Sequence, residues 1–165
     1  MDIRPVDKSE LGIIADLFQK TLGGQEVFQG EKKKIAKYLE NVDGTFYAVE
    51  DDDIIIGVVL ITAKTYNQHT LWEIKHAAIL PEHRGKGAGI ILLEYIDEKI
   101  RKQIAKGQCS SAKIELAITE KDSVFTDKNE KNDLGFWKRN GYKVEGTLAD
   151  HFKKGEAVIL LGKSF

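Results

Sequence analysis

The sequence predicts an α/β (α+β) domain in which helices cover a mixed sheet, and three observations carry that expectation. Short segments rich in β-branched and aromatic residues alternate with amphipathic helical stretches along the whole chain. Thr45 to Glu50 and Ile54 to Lys64 flank Asp51-Asp52-Asp53 as the two arms of an antiparallel hairpin. Leu71 to Leu80 reads as a strand that runs through Pro81 into a glycine-rich loop and a long helix, after which Ile114, Leu116 and Ile118 alternate in another strand. Two strands joined by a helical crossover lie parallel, so the sheet is mixed. At 165 residues, one domain spanning 1–165 is expected.

In chain order, Ile3 to Val6 is a strand, and Asp7 or Ser9 can cap the helix after it. Leu11, Ile14, Phe18 and Leu22 give that helix one apolar stripe, and Gly23-Gly24 ends it. Gln25 to Gly30 carries little sign of regular structure. Glu31 to Glu40 is a second, more polar helix that buries Ile35, Tyr38 and Leu39. The acidic triplet at 51–53 is a solvated turn rather than a metal site, because three consecutive side chains on a tight turn diverge. From Ala88 a helix presents Leu92, Ile96, Ile100 and Ile104 on one face, which must lie across a sheet, and Gly107 supplies its left-handed end. Glu120 to Lys131 is polar and loop-like. Asp133 to Arg139 is a short helix stopped by Asn140-Gly141, and Lys143 to Thr147 and Ala157 to Leu161 are closing strands around a polar loop with His151.

Composition excludes several functions. With 25 basic and 26 acidic residues, net charge −1, the chain lacks the charge to neutralise a nucleic-acid backbone. Its single cysteine, Cys109, allows neither an internal disulfide nor a cysteine-rich metal site, as suits a reducing cytoplasm. Met1-Asp2-Ile3-Arg4 does not begin a basic-then-apolar leader, and the longest apolar run, Ile54 to Ile61, is far shorter than the ~20 residues of a spanning helix. A cytoplasmic protein without membrane or nucleic-acid partners is expected. His69, His76, His83 and His151 show no metal-ligand spacing and no pairing with Ser or Cys. His83 falls beside the glycine loop; the other three have no assigned role, and no metal is expected.

The loop Arg84-Gly85-Lys86-Gly87-Ala88-Gly89-Ile90 is the chemically informative stretch. Its glycines remove side chains that would keep an anion from the backbone, and the first N–H groups of the following helix have no intrahelical partners. Those donors, the positive end of the helix dipole, and Arg84 and Lys86 together call for a phosphate or pyrophosphate. A P-loop is ruled out because no Ser or Thr follows Lys86, and Gly85-x-Gly87-x-Gly89 is one residue short of the dinucleotide fingerprint. What remains is Arg-x-x-Gly-x-Gly, held by Arg84, Gly87 and Gly89. Placed after a strand and before an amphipathic helix, it resembles the acetyl-CoA-binding signature of the GNAT superfamily of N-acetyltransferases. Ile3-Arg4-Pro5 resembles that family's opening, and Phe136-Trp137-Lys138-Arg139-Asn140-Gly141-Tyr142 its late helix-to-strand motif.

The resemblance implies a mostly antiparallel sheet of six or seven strands, two of them parallel and splayed, with helices on both faces. It implies acetyl-CoA as co-substrate, and as acceptor a primary amine of a small molecule or peptide attacking the thioester directly. The pantetheine arm would bond the backbone of Ala78, Ile79 and Leu80, and the pyrophosphate would meet Arg84, Gly85, Lys86, Gly87, Ala88, Gly89 and Ile90. Asn129 or Asn132 would lie against the pantetheine, or else simply cap a helix. Val27, Phe28 and Tyr38 are candidates for acceptor contact or ordinary core. Strict alternation puts Glu73, Lys75, Ala77 and Ile79 on one face of their strand. Glu73 then stands where the histone-acetylating branch has its catalytic glutamate; it is either the general base or the salt-bridge partner of Lys75. The family's usual Tyr is here Trp137, a donor only, which can pack on the cofactor but cannot protonate the leaving thiolate. Tyr142 reads as core. The rival reading is a catalytically silent acyl-CoA-binding sensor or partner subunit. The oligomeric state is not readable, and a homodimer is compatible with the resemblance.

Overall fold

The computed structural model describes residues 1–23, 25–119 and 133–165. Seven strands form one sheet: β1 (Asp2–Pro5), β2 (Thr45–Asp51), β3 (Ile54–Tyr66), β4 (His69–Ile79), β5 (Ser111–Thr119), β6 (Lys143–Leu148) and β7 (Val158–Ser164), in the order β1-β2-β3-β4-β5-β7-β6. All neighbours are antiparallel except β4 and β5, the pair joined through a helix. The helices are α1 (Leu11–Leu22), α2 (Lys32–Asn41), α3 (Ala88–Ala105) and α4 (Leu134–Arg139).

Each face of the sheet has its own core. α1 and α2 lay Ile14, Phe18, Ile35 and Leu39 against Phe46, Ala48, Val58, Leu60 and Ala78. α3 and α4 lay Leu92, Ile96, Ile100, Phe136 and Trp137 against Tyr47, Val59, Ile61, Ile114 and Leu161 on the other face. The expected stripe of α3 is therefore its buried side: Leu92, Ile96 and Ile100 are fully enclosed, each contributing about 1.5–3 kcal/mol by burial.

Two hairpins build the centre. The acidic triplet ends in a turn with both Asp52 and Asp53 at positive φ (49° and 63°), and Asn67 and Gln68 repeat that geometry (46° and 70°) between β3 and β4. Such left-handed pairs match the twist of the strands they join. The second turn carries no glycine, so β3 and β4 extend further toward it than the residue pattern predicts. Gln25 to Gly30, expected to be irregular, contains one short 3-10 turn at Glu26–Phe28. At the other edge of the sheet, Arg4 on β1 bonds both oxygens of Glu10 (2.7 and 2.6 Å) and also Glu50 on β2 (2.6 Å), fixing the approach to α1.

Candidate active site

The two parallel strands separate in the middle of the sheet. β4 and β5 pair from His69 and Ser111 to Glu73 and Glu115, and no further. Just past that point β4 carries a bulge: Leu60 of β3 faces His76 and Ile61 faces Ile74, so Lys75 is an extra residue. A bulge bends its strand. Beyond it β4 stays with β3 and β5 stays with β7, which opens a cleft. Its walls are Ile74 to Ala77 of β4, Leu116 to Ile118 of β5, Trp137 with the adjoining Asp133, and Leu22 and Gln25 at the end of α1.

The bulge overturns the strict alternation expected for β4. Trp72, Ile74, Ala77 and Ile79 all pack on the α3 side, whereas Ala78 packs on the α1 side. His76 also lies on the α1 side, against Phe18 and Phe28. Glu73, between Trp72 and Ile74, therefore shares the face of His76 and Ala78 rather than that of Ala77 and Ile79. One inserted residue brings Glu73 and His76 to the same face of β4.

Hydrogen bonding also re-sorts the backbone groups. The Leu80 N–H donates to Ile56 O (2.8 Å), and the Leu80 carbonyl accepts from the His83 N–H (2.9 Å). Bonded pairs alternate along an antiparallel ladder, so Ala78 also faces β3, while Ala77 and Ile79 turn their peptide groups toward the cleft. The Ile79 carbonyl accepts from Arg84 Nε at 2.9 Å. Of the expected trio Ala78, Ile79 and Leu80, only Ile79 offers an N–H on the cleft side. Ala77, which the motif reading passed over, joins it.

The glycine loop follows a 3-10 turn at Pro81–His83, with Gly85 and Gly87 at φ 72° and 91°. Gly87 is the residue on which α3 begins, and a Cβ placed there would meet nothing within 4 Å. Left-handed backbone and open space together leave the helix N-terminus accessible to an anion, which fits a pyrophosphate. Ala88 and Gly89 are buried, Ala88 in the core under α3, while Ile90 is exposed on the first turn. Arg84 is not a free cation over the loop. Its side chain clamps the loop to the end of β4, and burial lowers its pKa against the opposing pull of Asp133 and Glu82.

On the acceptor side, Phe28 is fully buried and supports the wall rather than lining it. Val27 and Tyr38 are partly exposed. Tyr38 Oη and His76 Nε2 are hydrogen-bonded at 2.9 Å. Burial, reinforced by Lys75, pushes the His76 pKa down to about 4, so the ring is neutral at pH 7. Burial raises the Tyr38 pKa. Glu73 bonds Lys75 at 2.9 Å with both side chains 40% exposed, so the ion pair foreseen as the alternative is present. Trp137 is buried, edge-on to Tyr142 with ring centroids 5.0 Å apart. The Tyr142 hydroxyl has no hydrogen-bond partner among the described residues, and its ionisation is suppressed by burial and by Asp97. It belongs to the core, as expected. Asn129 and Asn132 lie outside the described residues. His76 and Lys75 gave no signal in the sequence beyond their place on the strand entering the loop.

Among the described residues no helix is long and apolar enough to cross a membrane, and no cluster of three His, Cys, Asp or Glu side chains forms a metal site.

A seven-stranded mixed sheet splayed at one parallel pair, with a glycine-rich anion loop at the mouth of the splay, defines an acetyltransferase fold. The chain belongs to the GNAT acetyltransferases: the family model for the acetyltransferase (GNAT) domain matches residues 42–144, well over half the chain. No curated protein sequence matches significantly. Among solved structures, an aminoglycoside 6'-N-acetyltransferase complexed with coenzyme A is 19% identical, with TM-score 0.70 over 99% of this chain and 97% of its own. A ribosomal-protein-alanine N-acetyltransferase from Brucella melitensis is 13% identical, with TM-score 0.69 over 100% of both chains. Naa50 of Arabidopsis thaliana, in complex with the bisubstrate analogue CoA-Ac-MVNAL, is 15% identical, with TM-score 0.68 over 99% of this chain and 98% of its own. At these identities the likeness is one of fold.

Proposed function

We propose that this protein transfers an acetyl group from acetyl-CoA to a primary amine of a small molecule or peptide by direct attack of the amine on the thioester. The observation that carries the reading is an open left-handed Gly87 at the start of α3, following a strand end whose Ala77 and Ile79 peptide groups turn away from β3. Bound there, acetyl-CoA supplies the activated acyl group. The α3 N-terminus and Lys86 hold the pyrophosphate, the edge of β4 pairs with the amides of the pantetheine, and Trp137 packs beside the arm. An N–H from Ile79 is suited to the thioester oxygen, where a fixed donor stabilises developing negative charge.

The acceptor enters from the α1 side, past Gln25, Val27 and Tyr38. An alkyl amine is mostly protonated at pH 7, so a proton must leave before or during attack. Two groups on this wall can take it. Glu73 must first exchange Lys75 for the ammonium of the acceptor. His76 has no ion pair to give up; its Nε2 is bonded to the Tyr38 hydroxyl, and its other ring nitrogen is the one that meets the acceptor.

Calorimetric titration with acetyl-CoA, followed by thiol release across polyamines, amino acids, aminoglycosides and peptides, tests the reading. Binding with acceptor-dependent release supports it; binding without release under every acceptor makes the protein a silent acyl-CoA binder.

A further inference from the structure

Resting on the acetyltransferase reading, we propose that His76, held by Tyr38, is the proton-transferring residue of the cleft in place of both Glu73 and the family's missing tyrosine. Of the described cleft-lining side chains, Lys75 is engaged by Glu73, and Asp133 is buried in the field of the Arg84 guanidinium. Neutral His76 is left as the one that carries both a lone pair and an N–H on its ring, so it can accept a proton and then donate it.

Its surroundings fix the ring. Phe28 meets it edge-to-face at 4.8 Å and Phe18 at 5.8 Å, while Tyr38 bonds Nε2 from α2. The titratable or charged groups that the described residues bring to the ring are Tyr38 from α2 and Lys75 from its own strand; Phe18 of α1, Phe28 of the 3-10 turn and Leu60 of β3 add none. Burial first, and then Lys75 beside it, disfavour a positive charge on the ring and keep it unprotonated.

The step balances. The acceptor ammonium first releases one proton to solvent; as the neutral amine nitrogen then bonds to the thioester carbonyl carbon, the second proton, made acidic by that bond, passes to the imidazole. The carbon–sulfur bond then breaks, sulfur keeps the electron pair, and the imidazolium returns the proton to the thiolate. The missing tyrosine at position 137 thus leaves no gap in the reaction.

The test uses wild-type protein, His76→Gln, His76→Asn and Tyr38→Phe, with acetyl-CoA and whichever amine the wild type acetylates. His76→Gln keeps a polar side chain of similar reach and should lower kcat by about 10²- to 10⁴-fold, with acetyl-CoA affinity by calorimetry within about twofold. Tyr38→Phe should lower kcat about tenfold, since it frees the ring without removing it. In an NMR titration the His76 ring signal should stay unprotonated well below pH 6 and shift when the amine is added beside unreactive coenzyme A. Near-wild-type kcat in His76→Gln overturns the proposal. Should that variant not fold, near-wild-type kcat in His76→Asn, or a His76 signal indifferent to the amine in wild type, overturns it equally. A wild type that acetylates no amine instead defeats the acetyltransferase reading, a different outcome from an active wild type with active variants.

Discussion

Gly87→Ala separates the backbone demand at the loop from its role toward the ligand. The added Cβ meets no protein atom within 4 Å, so the variant loses nothing by steric clash inside the fold. What it suffers is conformational: φ is 91°, in the left-handed region where an L-residue costs about 1–2 kcal/mol. For a chain of this size that lowers Tm by about 2–8 °C and leaves the protein folded at 25 °C. The same methyl projects into the space over the start of α3, where a pyrophosphate must come close enough to bond backbone N–H groups. Acetyl-CoA affinity should therefore fall at least about tenfold, equivalent to about 1.4 kcal/mol. Gly107→Ala is the internal control. It lies beyond the other end of α3, also left-handed (φ 69°) and also open around the Cβ position, so it should share the loss of Tm without the loss of affinity. Differential scanning calorimetry and isothermal titration on the two variants settle the matter. Equal acetyl-CoA affinity in wild type and folded Gly87→Ala would refute the phosphate-cradle assignment.

Three further outcomes are expected. Glu73→Gln removes one half of an exposed ion pair, so turnover should change about tenfold at most and stability by no more than about 1 kcal/mol; a 10³-fold fall in kcat with an upward-shifted pH profile would return the base role to Glu73. Trp137→Phe should weaken acetyl-CoA binding more than it slows turnover, because the indole packs in the cleft and transfers no proton; the reverse split in KM and kcat would contradict that. Acid stability should depend on the β1–α1 junction, where hydrogen bonds from Arg4, then one from the Asp7 backbone, hold the Glu10 pKa at about 2 against an ordinary 4.5. The folded pKa is the lower one, so this stabilisation is complete above pH 4.5 and disappears as pH falls toward 2. Denaturant midpoints for Arg4→Ala and wild type should therefore differ at neutral pH and converge between pH 4.5 and 2.

Much of the fold was legible because the chain's signals are local. The acidic triplet, the strand-to-glycine-loop passage and the helical stripe of Leu92, Ile96 and Ile100 each announce their structure within a dozen residues, and the crossover they define forces β4 and β5 to be parallel. The site was legible where it is backbone and loop, less so where it depends on geometry between distant segments. Alternation along β4 assumed a regular strand, yet a bulge at Lys75 is set by the pairing of β3, and no residue type marks it. That single insertion reverses the face of Glu73 relative to Ala77 and Ile79. The turn at Asn67 and Gln68 lacks glycine and passed unnoticed for the same reason. The Tyr38–His76 contact joins residues 38 positions apart, and only the packing of α2 over β4 brings them together. Phe28 shows the converse: its residue type and loop-like segment left acceptor contact and ordinary core equally open, and the fold buries it completely.

The central claim is that acetyl passes from acetyl-CoA to an amine nitrogen in one step within the β4–β5 cleft. Incubating the protein with acetyl-CoA carrying an isotopic label in the acetyl group, with and without a panel of amines, and locating the label by mass spectrometry tests it most directly. The account requires the label as an amide on the acceptor nitrogen, free coenzyme A in equal amount, and unlabelled protein throughout. Label retained on coenzyme A with every amine, or found covalently on the protein when the amine is left out, would contradict it.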